Sequence, residues 1–244
     1  MAVVDDPRPP VLRVEPWVLR APVHVGMTTR IGFPTAGVGD DDQASRAGTR
    51  EIVARGIGCS VADLAWVKQV HGRDVLDAAE GGLRGVADAL VTDDPQRVLL
   101  VSVADCAPVA LWDVTSNVRG IAHAGWRGTV AGVVEATIDA MVERGADRAC
   151  IAAWIGPHIG AARFEVGPEV AAQFHDDDVL PAGEEGRSRP HVDLTAALFR
   201  RLRAAGIESL RASEDCTFDR RRLYWSYRRD GGLCGRQVAW IAAR

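Results

Sequence analysis

The stretch VLLVSVADCAPVALWDVTSNVRGIAHAGWRGT, residues 98–129, decides how the rest of this chain is read. It holds two β-branched apolar runs, VLLVSVA and VRGIA. Each stops at a side chain with strong ligand or nucleophile chemistry, Cys106 after the first and His123 after the second. A strand that ends on such a residue delivers it from a rigid scaffold to a loop region where a site can open. His71 closes another strand-like run, LAWVKQVHG, in the same way. One Cys and two His brought together from separate strand ends can bind zinc and leave a coordination position free. The alternative is structural: Cys packs as a small hydrophobe, a His after a strand can simply be hydrogen-bonded, and these spacings are not the short pairs that mark zinc motifs. Residue chemistry alone leaves both open.

On the N-terminal side, residues 17–19 and 23–27 read as strands, the second delivering Thr28, Thr29 and Arg30 to a loop broken by Gly and Pro. A polar surface helix is expected over 42–55, stopped by Gly56 and Gly58. Residues 64–70 should form the strand that ends at His71-Gly72, with 75–78 returning as a hairpin partner and Gly81, Gly82 and Gly85 marking a flexible loop. ADALVTDDP (87–95) reads as a short strand closed by an Asp-Asp-Pro turn. Residues 109–112 and 118–122 are expected as strands joined by the Thr115-Ser116-Asn117 turn.

On the C-terminal side, the spacing of Val130, Val133, Val134, Ile138, Met141 and Val142 predicts one amphipathic helix ended by Gly145. Its opening, Trp126-Arg127-Gly128-Thr129, suits an anion on the first amides or plain capping by Thr129. CIAAWIG (150–156) reads as a buried strand, followed by a loop in which His158 is structural and Glu165 free to act. A short helix over 168–174 and a longer one capped by Asp193, with Leu194, Ala197, Leu198, Leu202 and Ala205 on one face, precede final strands at 223–228 and 238–242. Strands outnumber helices, and hairpin neighbours mix with helical connections. The expected class is therefore α+β with mixed sheets, one compact domain over 1–244 whose residues 1–14 form a loose N-terminal segment.

Composition removes several functions. With 47% apolar residues the 244-residue chain buries a large core, and a net charge of −4 gives no general nucleic-acid footprint. The local exception, Arg220, Arg221, Arg222, Arg228 and Arg229, reads as a phosphate-seeking patch or a solvated turn. The opening MAVVDDPRPP lacks the basic start and apolar core of a secretory signal, and the aliphatic runs are too short to span a bilayer. Five cysteines without a Cys-x-x-Cys pair fit reduced thiols in the cytoplasm. No Gly-x-Gly-x-x-Gly, P-loop or nucleophile-elbow motif is present.

The blocks QVHG (69–72), ADCAP (104–108), HAGWRGT (123–129), IGPHIG with FEVG (155–160 and 164–167) and CTF...YWSYRRDGGLCGRQ (216–237) together resemble the multicopper polyphenol oxidoreductase, or laccase-domain, family. Its members include purine nucleoside phosphorylases and a bacterial peptidoglycan editing factor. The resemblance runs from about Met27 to Ile241 with the blocks in the family's order. It implies stacked sheets flanked by helices in one compact unit, with a metal held by His71, Cys106 and His123. Two departures stand out. Thr29-Arg30 runs into Ile31-Gly32-Phe33-Pro34 where the family has Gly-Gly-x-Ser, and Gly48-Thr49-Arg50 stands near the place of its usual Asn-Arg.

A laccase in the literal sense needs many imidazoles, and only six His are present, of which His24, His175 and His191 fall outside the motifs. Phenol oxidation is then at most a side activity of adventitious Cu(2+). A single Zn(2+) on three ligands fits better, lowering the pKa of a bound water to about 7 or acting as a Lewis acid on a purine nitrogen. The resemblance implies phosphorolysis of adenosine, inosine and methylthioadenosine, with adenosine deamination in the same site. Purine nucleosides and phosphate are thus the expected partners, with neither nucleic acid nor membrane involved. Cys106, His123 and His71 are the catalytic candidates; Arg127 and Arg30, with Gln69 and Arg229, are the substrate-side ones. Two other readings stand beside this. One is a metal-free Cys106/His123 amidase acting on a peptidoglycan precursor, as the editing-factor members suggest. The other is a non-catalytic metal-binding protein.

Overall fold

The two apolar runs of the central stretch are strands, yet they lie in different sheets. A computed structural model describes residues 12–14, 22–31, 43–231 and 234–244. In it, Val98–Val103 is β7, Ala107–Asp113 is β8 and Arg119–Ala124 is β9. β7 belongs to a six-stranded sheet with β1 (Leu12–Val14), β2 (Val23–Thr28), β3 (Leu64–Lys68), β5 (Gly82–Val86) and β14 (Gln237–Ala243), ordered β1-β2-β14-β7-β3-β5. β8 and β9 belong to another, with β4 (Val75–Asp77), β6 (Ala89–Thr92), β10 (Ile151–Ile155) and β13 (Ser209–Ala212), ordered β13-β10-β8-β9-β6-β4. The chain crosses between sheets at Ala104-Asp105-Cys106, where Asp105 takes a φ of 83°. A third, two-stranded ladder joins β11 (Val179–Leu180) to β12 (His191–Val192).

Alternation along the strands builds the layers. Leu99, Val101, Val103, Ala239 and Ile241 of the first sheet face Leu90, Ala110, Trp112, Ile121 and Trp154 of the second in one core. The other face of the second sheet, with Val91, Val109, Leu111 and Ala122, packs on α3 (Val133–Glu143) and α5 (Leu194–Ala204). The outer face of the first, with Leu64, Val98, Leu100 and Trp240, is covered by Val53 and Ala54 of α1 (Gln43–Ile57). Central strands are therefore buried on both sides, and every residue of β8 and β9 is buried, Asp113, Arg119 and His123 included. The class is α+β, two stacked mixed sheets flanked by helices.

Several expectations are corrected. Residues 75–78 do not form a hairpin with β3; β4 pairs in parallel with β6 in the other sheet. The Gly81–Gly85 region is not a loop, because β5 adds in parallel to β3. Gly81 is required there by contact, since a Cβ would lie 1.9 Å from the Ala62 carbonyl oxygen. The single helix after His123 is two, α2 (Trp126–Ala131) and α3, broken at Gly132 with φ 90°. This break shifts the helical phase, so Val133, Val134, Ile138 and Met141 are buried while Val130 and Val142 are not. Residues 223–228 are turns leading into α6 (Tyr227–Asp230) rather than a strand. The strand ending at His71 stops at Lys68, and the short helix α4 covers Pro168–Ala171. Leu12–Val14, placed in a loose segment, pair with β2, and residues 17–19 and 32–40 lie outside the described residues. The Asp193 cap is as expected, its side chain accepting from Ala196 N at 3.0 Å.

Candidate metal centre

Three different elements deliver the three sequence-predicted ligands to one point. Cys106 sits at the crossover just before β8, His123 lies in β9 paired with Pro108, and His71 follows β3 in a turn with φ 61°. One ligand atom from each lies within 4.8 Å of the other two. Cys106 Sγ and His71 Nε2 are 3.9 Å apart. Two ligands on tetrahedral zinc, with bonds of about 2.3 Å to sulfur and about 2.0–2.1 Å to nitrogen, are separated by roughly 3.6 Å. The donor set therefore fits a soft or borderline divalent ion. His123 is buried, Cys106 half-buried and His71 exposed, so the cluster opens to solvent on the His71 side. Gly125, the glycine of HAGW, makes the approach possible, because a Cβ there would lie 2.8 Å from Cys106 Sγ and 3.1 Å from His71 Cδ2.

Asp88 organises both histidines, and the sequence reading missed it. Its side chain has 0% exposure. Oδ1 accepts from His123 Nδ1 at 2.8 Å and His71 N at 2.9 Å, while Oδ2 accepts from Gly72 N at 2.6 Å and Val70 N at 3.2 Å. Three successive amides of the His71 turn thus wrap one carboxylate. With Nδ1–H donated to Asp88, His123 presents Nε2 to the cluster, the carboxylate–histidine arrangement typical behind metal ligands. Burial opposes ionisation of Asp88, but the bonds from His123 and the turn amides hold its pKa below the ordinary value. An acid inside the otherwise apolar run ADALVT was the available signal, since a buried carboxylate requires partners.

Electrostatics favours the ligating form of the cysteine. Burial pushes the Cys106 thiol up, yet hydrogen bonds and charges from His123 and His71 overcome this and bring it to about 6. Burial likewise disfavours His123 protonation, and Asp88 and Cys106 outweigh it, raising the imidazole to about 9. Without an ion the pair is poised as thiolate and imidazolium.

Asp105, beside Cys106, fastens the surrounding loops. Its carboxylate accepts from Thr217 Oγ1 at 2.6 Å, Arg228 N at 2.7 Å and Ser226 Oγ at 3.0 Å, and its carbonyl accepts from Ile159 N at 3.0 Å. This residue too escaped the sequence reading.

The substrate-side candidates have separate fates. Gln69 is spent on β7, donating to Ser102 O and accepting from Ser102 N, both at 2.8 Å. Arg30 lies 4.0 Å over the Trp225 ring and donates to Arg221 O. Arg229 commits all five N–H donors, to Thr217 O, Phe218 O, Tyr224 O and both Asp230 oxygens, leaving none for an anion. Arg127 is exposed, 4.4 Å over the Trp126 ring. Thr129 does not cap α2; Gly125 holds that position, and the buried Thr129 hydroxyl has no partner among the described residues. His158 is structural as expected, its Nδ1 against Gly156 O at 2.8 Å and Nε2 against Thr195 Oγ1 at 3.0 Å, with burial lowering its pKa.

A His/Cys/His cluster at the crossover between two stacked sheets, oriented by a buried carboxylate, defines an α+β protein with one group of side chains that could hold a metal ion. The family described as multi-copper polyphenol oxidoreductase laccase matches residues 33–244, and the chain belongs to it. A purine nucleoside phosphorylase of Deinococcus radiodurans is 38% identical over 235 residues, covering 92% of each chain. Another of that name from Streptomyces coelicolor is 38% identical over 235 residues, covering 89% of this chain and 95% of its own. The crystal structure of a Bacillus licheniformis hypothetical protein, YfiH, superposes with a TM-score of 0.86 at 26% identity, covering 96% of this chain and 97% of its own.

Proposed function

We propose that the protein is a zinc-dependent purine nucleoside phosphorylase acting on adenosine, inosine and methylthioadenosine, with adenosine deaminase activity in the same site. The observation that carries the reading is the convergence of His71, Cys106 and His123 on one point, in a chain whose relatives over nearly its full length are named for nucleoside phosphorolysis. Bound to these side chains, zinc would supply Lewis acidity, to a purine nitrogen or to water, through the position they leave open. Asp88 fixes the His123 tautomer and the His71 turn. Cys106 contributes its thiolate, and the exposed His71 faces the side from which substrate arrives. Arg127, with no ion pair among the described residues, offers paired donors to orthophosphate. Arg30, stacked on the Trp225 ring, is the second phosphate candidate, and Gln69 acts by tying the His71 turn to β7. Among the described residues this is the single His/Cys/carboxylate group of metal-binding geometry, which speaks against a multicopper oxidase and leaves Cu(2+) as an adventitious occupant.

No helix among the described residues is long and apolar enough to cross a membrane, and all five cysteines are free thiols, which supports the cytoplasm as the working compartment. The test is incubation of metal-replete protein with inosine or adenosine, with and without phosphate. Hypoxanthine or adenine should appear together with ribose 1-phosphate only when phosphate is present, while adenosine is converted to inosine in either case. Absence of phosphate-dependent base release sinks the phosphorylase reading. The lowered Cys106 thiol beside a raised His123 favours a second reading, a Cys/His amidase of a peptidoglycan precursor. That activity would survive chelation, whereas deamination would not.

A further inference from the structure

We infer that Asp105 is a positioning residue of the cluster: through side-chain bonds to Thr217, Ser226 and Arg228 it holds the crossover so that the Cys106 sulfur stays against His71 and His123. This rests on the three-residue cluster of the reading above and is independent of which reaction that cluster performs.

The crossover is short. β7 ends at Val103 in one sheet and β8 begins at Ala107 in the other, so Ala104, Asp105 and Cys106 make the passage alone. The turn falls on the middle residue, with its φ of 83°. Gly enters that half of backbone space freely, Asn and Asp do so better than other side chains, and a residue kept there is held by its surroundings. The hydrogen-bond partners of the Cys106 sulfur are the two imidazoles of the cluster itself. Before any ion binds, its direction is therefore set chiefly by the crossover backbone.

Asp105 supplies the restraints. Its carbonyl accepts from Ile159 N at 3.0 Å. Oδ1 accepts from Thr217 Oγ1 at 2.6 Å, and Oδ2 from Arg228 N at 2.7 Å and Ser226 Oγ at 3.0 Å. Both carboxylate oxygens are occupied, so Asp105 acts through Cys106 rather than on a substrate. The three side-chain donors lie on one stretch, 217–228, which is itself anchored. Arg229 Nη1 donates to Thr217 O and Phe218 O, Gln237 Nε2 donates to Trp225 O at 2.9 Å, and a Cβ on Gly235 would lie 2.7 Å from Trp225 Nε1. The tie thus runs from a fixed segment to the residue before Cys106.

A turn residue and a positioning residue respond differently to replacement. Asp105→Gly keeps the backbone conformation accessible and loses the side-chain bonds. Asp105→Asn keeps both, because its amide oxygen can accept from Arg228 N and Ser226 Oγ, while the Thr217 hydroxyl turns to accept from the amide nitrogen.

The test loads wild type and both variants with cobalt(II) and records the thiolate-to-cobalt charge-transfer band, with zinc affinity by chelator competition, circular dichroism and crystal structures of the metal-free proteins. Asp105→Gly should keep its circular dichroism, lose the band and bind zinc roughly 10-fold or more weakly. In its crystals Cys106 Sγ should leave its 3.9 Å approach to His71 Nε2. Asp105→Asn should restore all three. Thr217→Val removes one donor without touching the crossover and should lose part of the band; it decides the matter if Asp105→Gly does not fold. A wild-type band and zinc affinity in Asp105→Gly, or an Asn variant no better than Gly, would overturn the inference. If wild type itself shows no cobalt–sulfur band, the metal-centre reading fails, and the Cys106 position in the metal-free crystals alone decides whether Asp105 positions it.

Discussion

At the scale of single residues, the site depends on carboxylates that carry none of its reactive chemistry. Asp88 has four donors on it and no solvent, so Asp88→Asn replaces an acceptor with an N–H pair facing donors. Metal affinity, read by chelator competition, should fall roughly 10–100-fold, as when other carboxylates hydrogen-bonded behind a ligating His are removed. Metal-free stability in urea should fall by about 1–3 kcal/mol, the cost of an unsatisfied buried polar group. Because the folded pKa of Asp88 is depressed, its ionised contribution is present above the unfolded value and lost as pH falls through the folded one. The Asn variant should accordingly show a flatter acid limb in its stability profile.

Cys106 gives a second residue-scale test, run in metal-stripped protein against a Cys106→Ser control. Its iodoacetamide rate should inflect at a pH of about 6, not near the ordinary thiol value, and added zinc should suppress it. An inflection at the ordinary value would remove the thiolate–imidazolium poise. Cys106, His123 and His71 were singled out because reactive side chains ended apolar runs, which left a structural role open, and the resemblance of their sequence blocks then pointed to the same three; the structure brings them together. Asp88 and Asp105 were not singled out, because an Asp in a sequence does not disclose which distant amides or hydroxyls it meets.

At the scale of elements, α5 and the β8–β9 hairpin were read well, while the hairpin expected for β3 and β4 and the parallel neighbours were not. α5 and its Asp193 cap follow from local spacing. β5 and β13 do not, since each pairs in parallel with a strand reached only by a crossover, and β5 is built from residues whose glycines suggest a loop. The split at Gly132 was also hidden, because Val130 and Val133 satisfy helical spacing on either side of a break in phase. Gly125 separates steric from backbone effects: its φ of −72° suits any residue, so Gly125→Ala changes only the contact with Cys106 and His71. That variant should keep its far-ultraviolet circular dichroism and lose most of its bound metal. Full metal retention would show that the three side chains do not need this approach.

At the scale of the whole molecule, the three cluster side chains come from both sheets and from the crossing between them. His71 follows β3 of one sheet, His123 lies in β9 of the other and Cys106 sits at the crossover, so the cluster exists only when the sheets are stacked. The α+β class was legible from element types and the helix-flanked stack followed from the family resemblance; the assignment of β7 and β9 to different sheets was not legible, because a buried strand's sequence does not say which sheet it joins. X-ray absorption at the metal edge of protein as purified, paired with elemental analysis, probes this assembly most directly. The expected result is about one zinc per chain with one sulfur at about 2.3 Å and two nitrogens at about 2.0–2.1 Å, the sulfur lost in Cys106→Ser and the metal lost in His71→Ala. A shell without sulfur, or undiminished metal in both variants, would contradict a centre built from His71, Cys106 and His123.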